Sequence, residues 1–285
     1  MSAAAGDVPG PADAAARRGR GSGRARRAAG DLIAPAVVFV VVIVGWELAL
    51  GALGIQTFIL PRPSDIAAAV GENWTTGFGI LPSARATLLE AFGGFVIGTV
   101  AGVLVAFASA RWLSAQHALL PLAVAAGAVP IIAFAPLMNN WFGVLSPLSK
   151  MMMAAVLVFF PVMANVTKGL TQVEPSALEL MRSYAATDAA ILRKLRIPNA
   201  LPYFFTALKL ATTLALIGAI VGEYFGGASL VLGRIIVQSA SALKFDVTWA
   251  AITVAAVAGI VFYLLVAAVE RLVIPWHTSV HGEVS

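Results

Sequence analysis

Residues 179–202 read ELMRSYAATDAAILRKLRIPNALP, a charged stretch with apolar sequence on both sides. The stretch either interrupts one greasy domain or joins two sets of membrane spans. The chain has 285 residues, of which 60% are apolar and only 12% charged, with a mean hydropathy of +0.90. Soluble domains carry about a quarter charged residues. Apolar runs of this length need lipid as their solvent.

Six segments are apolar enough to span a bilayer, at about 32–54, 86–110, 118–138, 150–167, 205–222 and 248–270. The fourth and fifth are short. The runs are continuous rather than alternating, which excludes strands. The expected fold is therefore an all-α integral membrane protein, with 174–202 as a loop between the fourth and fifth spans. Residues 1–31 form a basic tail expected to be disordered, 32–275 the membrane domain, and 276–285 a polar C-terminal tail.

Lysine and arginine placement sets the orientation. With the N-terminus inside, fourteen of the 19 fall on the cytoplasmic side, among them six tail arginines. The other five, Arg62, Arg85, Lys150, Arg234 and Lys244, fall outside. Both termini and the loop are then cytoplasmic. The tail reads as a topology-fixing segment, with binding to nucleic acid or lipid headgroups as the sharper alternative. No nucleic-acid partner is expected. The basic region and the apolar run after it are both too long for a cleaved signal. Cysteine is absent, which excludes disulfides and thiol chemistry. His277 and His281 have no carboxylates beside them, so no metal site is expected.

Gly94, Gly98 and Gly102 recur every fourth residue and mark a close helix contact. Pro130 and Pro136 predict a broken third span, beside a solute pathway or packed among neighbours. Asn139 and Asn140 follow at its outer end, and these four residues with Glu223 are the candidate pathway set. Glu47, Glu90 and Glu223 fall near the outer interface, where pairing or hydration is expected. Lys209 lies near the inner end of its span, placed to snorkel.

Within the loop, Ser176 and Glu179 have capping-box spacing. Leu178, Met181 and Ala185 recur at helical spacing, with Tyr184 beside them. Thr187 is placed to cap a second helix, 188–196, with Asp188 in its first turn. Arg193, Lys194 and Arg196 end that helix, and Pro198 stops it. The result is two short helices with a sharp turn between them, a docking surface for a protein partner.

Here the sequence resembles the binding-protein-dependent permease subunits of ABC importers. Their cytoplasmic signature is E-A-A, three residues, G, nine residues, then I-x-L-P. This chain has Glu179-Leu180-Met181, three residues, Ala185, nine residues, then Leu195-Arg196-Ile197-Pro198. Arg182, Ser183 and Pro198-Asn199-Ala200-Leu201-Pro202 are similar to the nitrate/sulfonate/taurine branch. So are Leu60-Pro61-Arg62-Pro63-Ser64, Trp141-Phe142-Gly143 and Gly222-Glu223-Tyr224-Phe225-Gly226. Ala185 stands where the family has glycine. A left-handed turn is costly for alanine, so a differently shaped turn is expected.

The resemblance implies that Ser176, Glu179, Met181, Arg182, Tyr184, Ala185, Thr187 and Pro198 belong to a coupling helix that docks a separate cytoplasmic ATPase dimer. The chain has no G-x-x-x-x-G-K-[ST] phosphate loop. ATP and magnesium would sit on that partner, and this chain would hold no cofactor and catalyse no covalent step. A second permease copy, most simply an identical one, an extracytoplasmic solute-binding protein and a bacterial inner-membrane location are also implied. The implied solute is a small organic or oxyanion nutrient, sulfonate-, taurine- or nitrate-like, or a pyrimidine- or flavin-type vitamin precursor. The competing class is an ion-coupled secondary transporter, which would need intramembrane carboxylates or unwound repeats.

Overall fold

The computed structural model describes residues 33–57, 59–111, 130–228 and 230–275. Both expected tails, the three histidines and most of the expected third span lie outside the described residues. Every regular element among the described residues is helical. In chain order these are α1 (Ile33–Leu53), α2 (Pro63–Glu72), α3 (Ile80–Arg111), α4 (Ala135–Phe142) and α5 (Pro147–Thr171). There follow α6 (Pro175–Ser183), α7 (Asp188–Ile191), α8 (Ile197–Tyr224), α9 (Leu232–Ser241) and α10 (Phe245–Val273).

Five helices are long and apolar enough to cross a membrane: Ile33–Leu53, Ile80–Ala110, Pro147–Thr171, Asp188–Tyr224 and Phe245–Val273. The two spans expected to be short are not: they run 25 and 37 residues. The longer one overturns the expected stop at Pro198. A π-helical segment, Leu192–Arg196, fuses α7 to α8. Proline has no N–H and its ring crowds the turn before it. The wider turn accommodates this, with the Ile197 N–H bonded to Leu192 O, five residues back.

Of the expected third span only residues 130–138 are described. Pro130 is extended and precedes a 3₁₀ turn, Ile131–Phe134. Pro136 lies in the first turn of α4. Both start helical segments, where a missing N–H breaks no bond.

The chain divides into two compact units, residues 1–65 and 66–285. In the first, Glu47 of α1 accepts the Ser64 N–H at 3.0 Å and the Ser64 hydroxyl at 2.8 Å. Asp65 accepts the Arg62 N–H at 3.1 Å. The Leu60–Ser64 motif is thus a helix start, with two carboxylates serving its orphan donors.

In the second unit, α3, α5 and α8 form the core. The glycine stripe of α3 lies against α5: a Cβ on Gly94 would meet Met151 O at 2.5 Å, and one on Gly98 would meet Ala155 O at 2.5 Å. A Cβ on Gly218 of α8 would likewise meet the Ala154 Cα at 2.6 Å. Small residues on both sides let the backbones touch, which is how helices gain contact where lipid offers no hydrophobic drive. Phe262 of α10 meets Phe95 of α3 edge-on, with centroids 5.1 Å apart. Lys209 does not snorkel: it pairs with Glu270 of α10 at 2.8 Å, largely out of solvent.

Candidate functional site

The charged stretch forms a helical hairpin at one end of α5 and α8. The first helix starts two residues earlier than expected. Glu174 is its N-cap and Pro175 fills the first helical position. The expected capping box is therefore absent, and the Ser176 hydroxyl donates instead to Glu174 Oε1 at 2.6 Å. Glu179 is exposed and makes no hydrogen bond or ion pair among the described residues. Met181 is half-buried; Arg182 is exposed in the last turn.

The turn after α6 corrects a second expectation. Ala185 has φ +52 and so keeps the left-handed conformation of the family's glycine. Its N–H bonds Arg182 O at 2.9 Å, and the Ala186 N–H bonds Met181 O at 3.1 Å. This is the paired bonding of a Schellman stop. The two bonds hold alanine in a state that costs it about 1–2 kcal/mol. Thr187 then caps α7 as expected, its hydroxyl accepting the Ala190 N–H at 3.3 Å.

Asn199, one residue beyond Pro198, ties the hairpin down. Its amide donates to Gly169 O at 2.8 Å and to Gln172 O at 3.0 Å. Both carbonyls are at the C-terminus of α5, where orphan acceptors need a donor. Leu180 is 58% exposed and Tyr184 79% exposed, four residues apart on one face. The hairpin thus presents an uncovered apolar pair flanked by Glu179 and Arg182.

At the far end of the same helix lies a buried charged cluster. Glu223 of α8 is 1% exposed and accepts the Gly233 N–H at 2.6 Å. Thr87 of α3 accepts the adjacent Leu232 N–H at 3.0 Å. Two side chains from two spans thereby cap α9, and the carboxylate suits the positive end of its dipole. Lys150 of α5 is 0% exposed. Its ammonium donates to Val144 O and lies 3.5 Å from Asn139 Oδ1. The Asn139 amide donates on to Phe225 O at 3.2 Å. Glu90, also buried, is within electrostatic reach of Lys150 and Glu223.

Lys150 was expected outside and is the most deeply buried cation in the described chain. The signal was present: Ser146-Pro147 is a cap followed by proline at the first helical position, which puts Lys150 inside the helix. Of the candidate pathway residues, Asn139 and Glu223 join this cluster. Asn140 is exposed, and Pro130 and Pro136 are helix starters. No group of three or more His, Asp or Glu among the described residues is placed to hold a metal.

One helix of 37 residues, about 55 Å at 1.5 Å per residue, thus joins an exposed hairpin to a buried clamp. Residues 94–276 match the family described as binding-protein-dependent transport system inner membrane component. The chain belongs to that family. The permease is 31% identical over 243 residues to the formylaminopyrimidine transport permease protein ThiX of Halalkalibacterium halodurans, covering 85% of this chain and 95% of the relative. It is 29% identical over 245 residues to the riboflavin transport system permease protein RibX of Chloroflexus aurantiacus, covering 85% and 90%. It is 28% identical over 254 residues to a putative aliphatic sulfonates transport permease protein, SsuC, of Bacillus subtilis, covering 88% of each. A crystal structure titled as an amino acid ABC transporter with histidines shares the fold, with a TM-score of 0.54 at 20% identity. It covers 68% of this chain and 94% of that one. The permease is thus a multi-pass membrane subunit of an ABC importer, a transport protein rather than an enzyme. Such importers also comprise an ATPase and a substrate-binding protein.

Proposed function

We propose that two copies of the permease enclose a solute route, with an ATPase dimer bearing ATP and magnesium docked on the 174–202 loops and a binding protein on the opposite face. Both termini are cytoplasmic, the orientation favoured by the lysine and arginine bias. The solute is a small organic or oxyanion nutrient of the kinds named for the relatives.

The observation that carries this reading is the hairpin. It exposes Leu180 and Tyr184 on its first helix, and its second helix continues without a break into a core span. A partner that grips it has a rigid lever on the membrane domain. The buried carboxylates Glu90 and Glu223 are what an ion-coupled carrier would need, but family membership favours ATP as the energy source.

Glu179 tests the docking. Its only role in this reading is toward the partner, because it closes no cap. Losing a hydrogen bond to a charged group costs about 1.5–3 kcal/mol. Glu179→Gln and Glu179→Ala should both cut co-purification of the ATPase and ATP-driven uptake about tenfold or more, at unchanged permease levels in the membrane. Wild-type co-purification in both variants would remove Glu179 from the docking surface.

A further inference from the structure

The end of the bundle opposite the hairpin holds a cavity of about 500 Å³, lined by Tyr224, Arg234, Val237, Gln238, Ser241 and Ala242. Its main wall is α9. That helix is two-faced at helical spacing. Leu232, Ile235, Ile236 and Ser239 are buried, while Arg234, Val237, Gln238 and Ser241 are exposed on the other side. The buried face and the N-terminal clamp by Glu223 and Thr87 account for how α9 is held. They leave its polar face without a task.

That face cannot look into hydrocarbon. An arginine there would be expensive, and the glutamine beside it adds a polar amide. The Ser241 hydroxyl donates to Val237 O at 2.8 Å and keeps its lone pairs for a ligand donor. Arg234 makes no ion pair among the described residues. The cavity lining contains no carboxylate. Glu223, although close in sequence, is buried and aims at the Gly233 N–H. The cavity therefore has a free guanidinium, an amide, a serine hydroxyl and a phenol, in a volume suited to a small organic molecule. A guanidinium fork matches two oxygens of one anionic group.

We propose that this cavity is a solute subsite. It receives the anionic group of a small organic acid, a sulfonate or carboxylate, on Arg234, while Gln238, Ser241 and Tyr224 bind its remaining polar atoms. The proposal rests on the permease reading and narrows its solute class. Alkyl tails of such acids would lie along Val237 and Ala242.

The test measures calorimetric binding to the full-length permease in nanodiscs, with butanesulfonate as the anionic probe and butanesulfonamide as its uncharged isostere. The sulfonate should bind at least tenfold more tightly than the sulfonamide. Arg234→Gln should reduce sulfonate binding to the sulfonamide level and leave sulfonamide binding unchanged. Arg234→Lys, which keeps the charge but loses the fork, should fall between. ATPase co-purification is read in parallel and should not change with Arg234→Gln, so its failure reports on the permease reading and not on the subsite. No sulfonate binding, or equal binding by Arg234→Gln and the parent, overturns the subsite. So does conversion of the Arg234→Gln permease from dimer to monomer with probe binding unaltered, which would assign this face to a second copy.

Discussion

Lys150→Met should lower the stability of the permease by about 3–5 kcal/mol, the cost of removing one partner from a buried charge group. Lys150 is fully buried, and both Glu90 and Glu223 act on its charge. Methionine is close in volume, so packing is nearly conserved and the effect isolates the charge. It leaves two buried carboxylates without a cation. The substitution also frees Val144 O and Asn139 Oδ1, which the ammonium serves. Thermal unfolding of purified permease, together with its level in the membrane fraction, reads the loss. Adding Glu223→Gln should recover part of it. The amide oxygen can still accept the Gly233 N–H, and one uncompensated charge has gone. Strictly additive losses in the double variant would mean that Lys150 and Glu223 do not act on each other.

Gly98→Leu should be nearly as damaging, for a steric reason. A Cβ at residue 98 would stand 2.5 Å from Ala155 O and 2.8 Å from Val158 Cβ. The first of these is backbone, so no rotamer change relieves it, and α3 and α5 must separate. Overpacking costs about 1–3 kcal/mol in ordinary cores. The loss here should reach or pass the top of that range, because the Gly94, Gly98 and Gly102 contacts open together. Gly45→Leu is the matched control. Nothing lies within 4 Å of a Cβ there, in α1. The control should retain wild-type melting and transport. Equal damage from both substitutions would refute close packing as the role of the stripe.

The parts of the fold legible in the sequence were those written as composition and spacing. Five of the six expected spans appear, because a run of about 20 apolar residues has few other solutions in water. The glycine stripe was legible because a missing side chain at every fourth residue serves only close approach. The Thr187 cap was legible for the same local reason.

What was not legible depended on competition or distance. Ser176 lost the cap because Pro175 suits the first helical position better, which moves the start back to Glu174. Pro198 looked like a stop, but a π turn absorbs a missing donor when core packing rewards continuation. Ala185 looked unable to form a glycine turn, but two backbone bonds hold it there. Lys150 was counted as an outer flanking charge because its acceptors, Val144 O and Asn139, and its counter-charges are brought to it by packing. A linear charge count cannot see partners on other helices. Thr87 carried no signal in the sequence for the same reason, although with Glu223 it clamps α9.

In the proposed assembly the 174–202 hairpin is the grip of a separate ATPase on this permease. Its most direct measurement is a cysteine cross-link, which the cysteine-free chain allows without background. Tyr184→Cys and Ser241→Cys are introduced singly into membranes that also contain the ATPase and are treated with a short thiol–amine cross-linker. Both positions are exposed, and they lie toward opposite ends of the bundle. A permease–ATPase adduct from Tyr184→Cys and none from Ser241→Cys is the predicted result. No adduct from Tyr184→Cys, or an adduct from Ser241→Cys of equal yield, would contradict it.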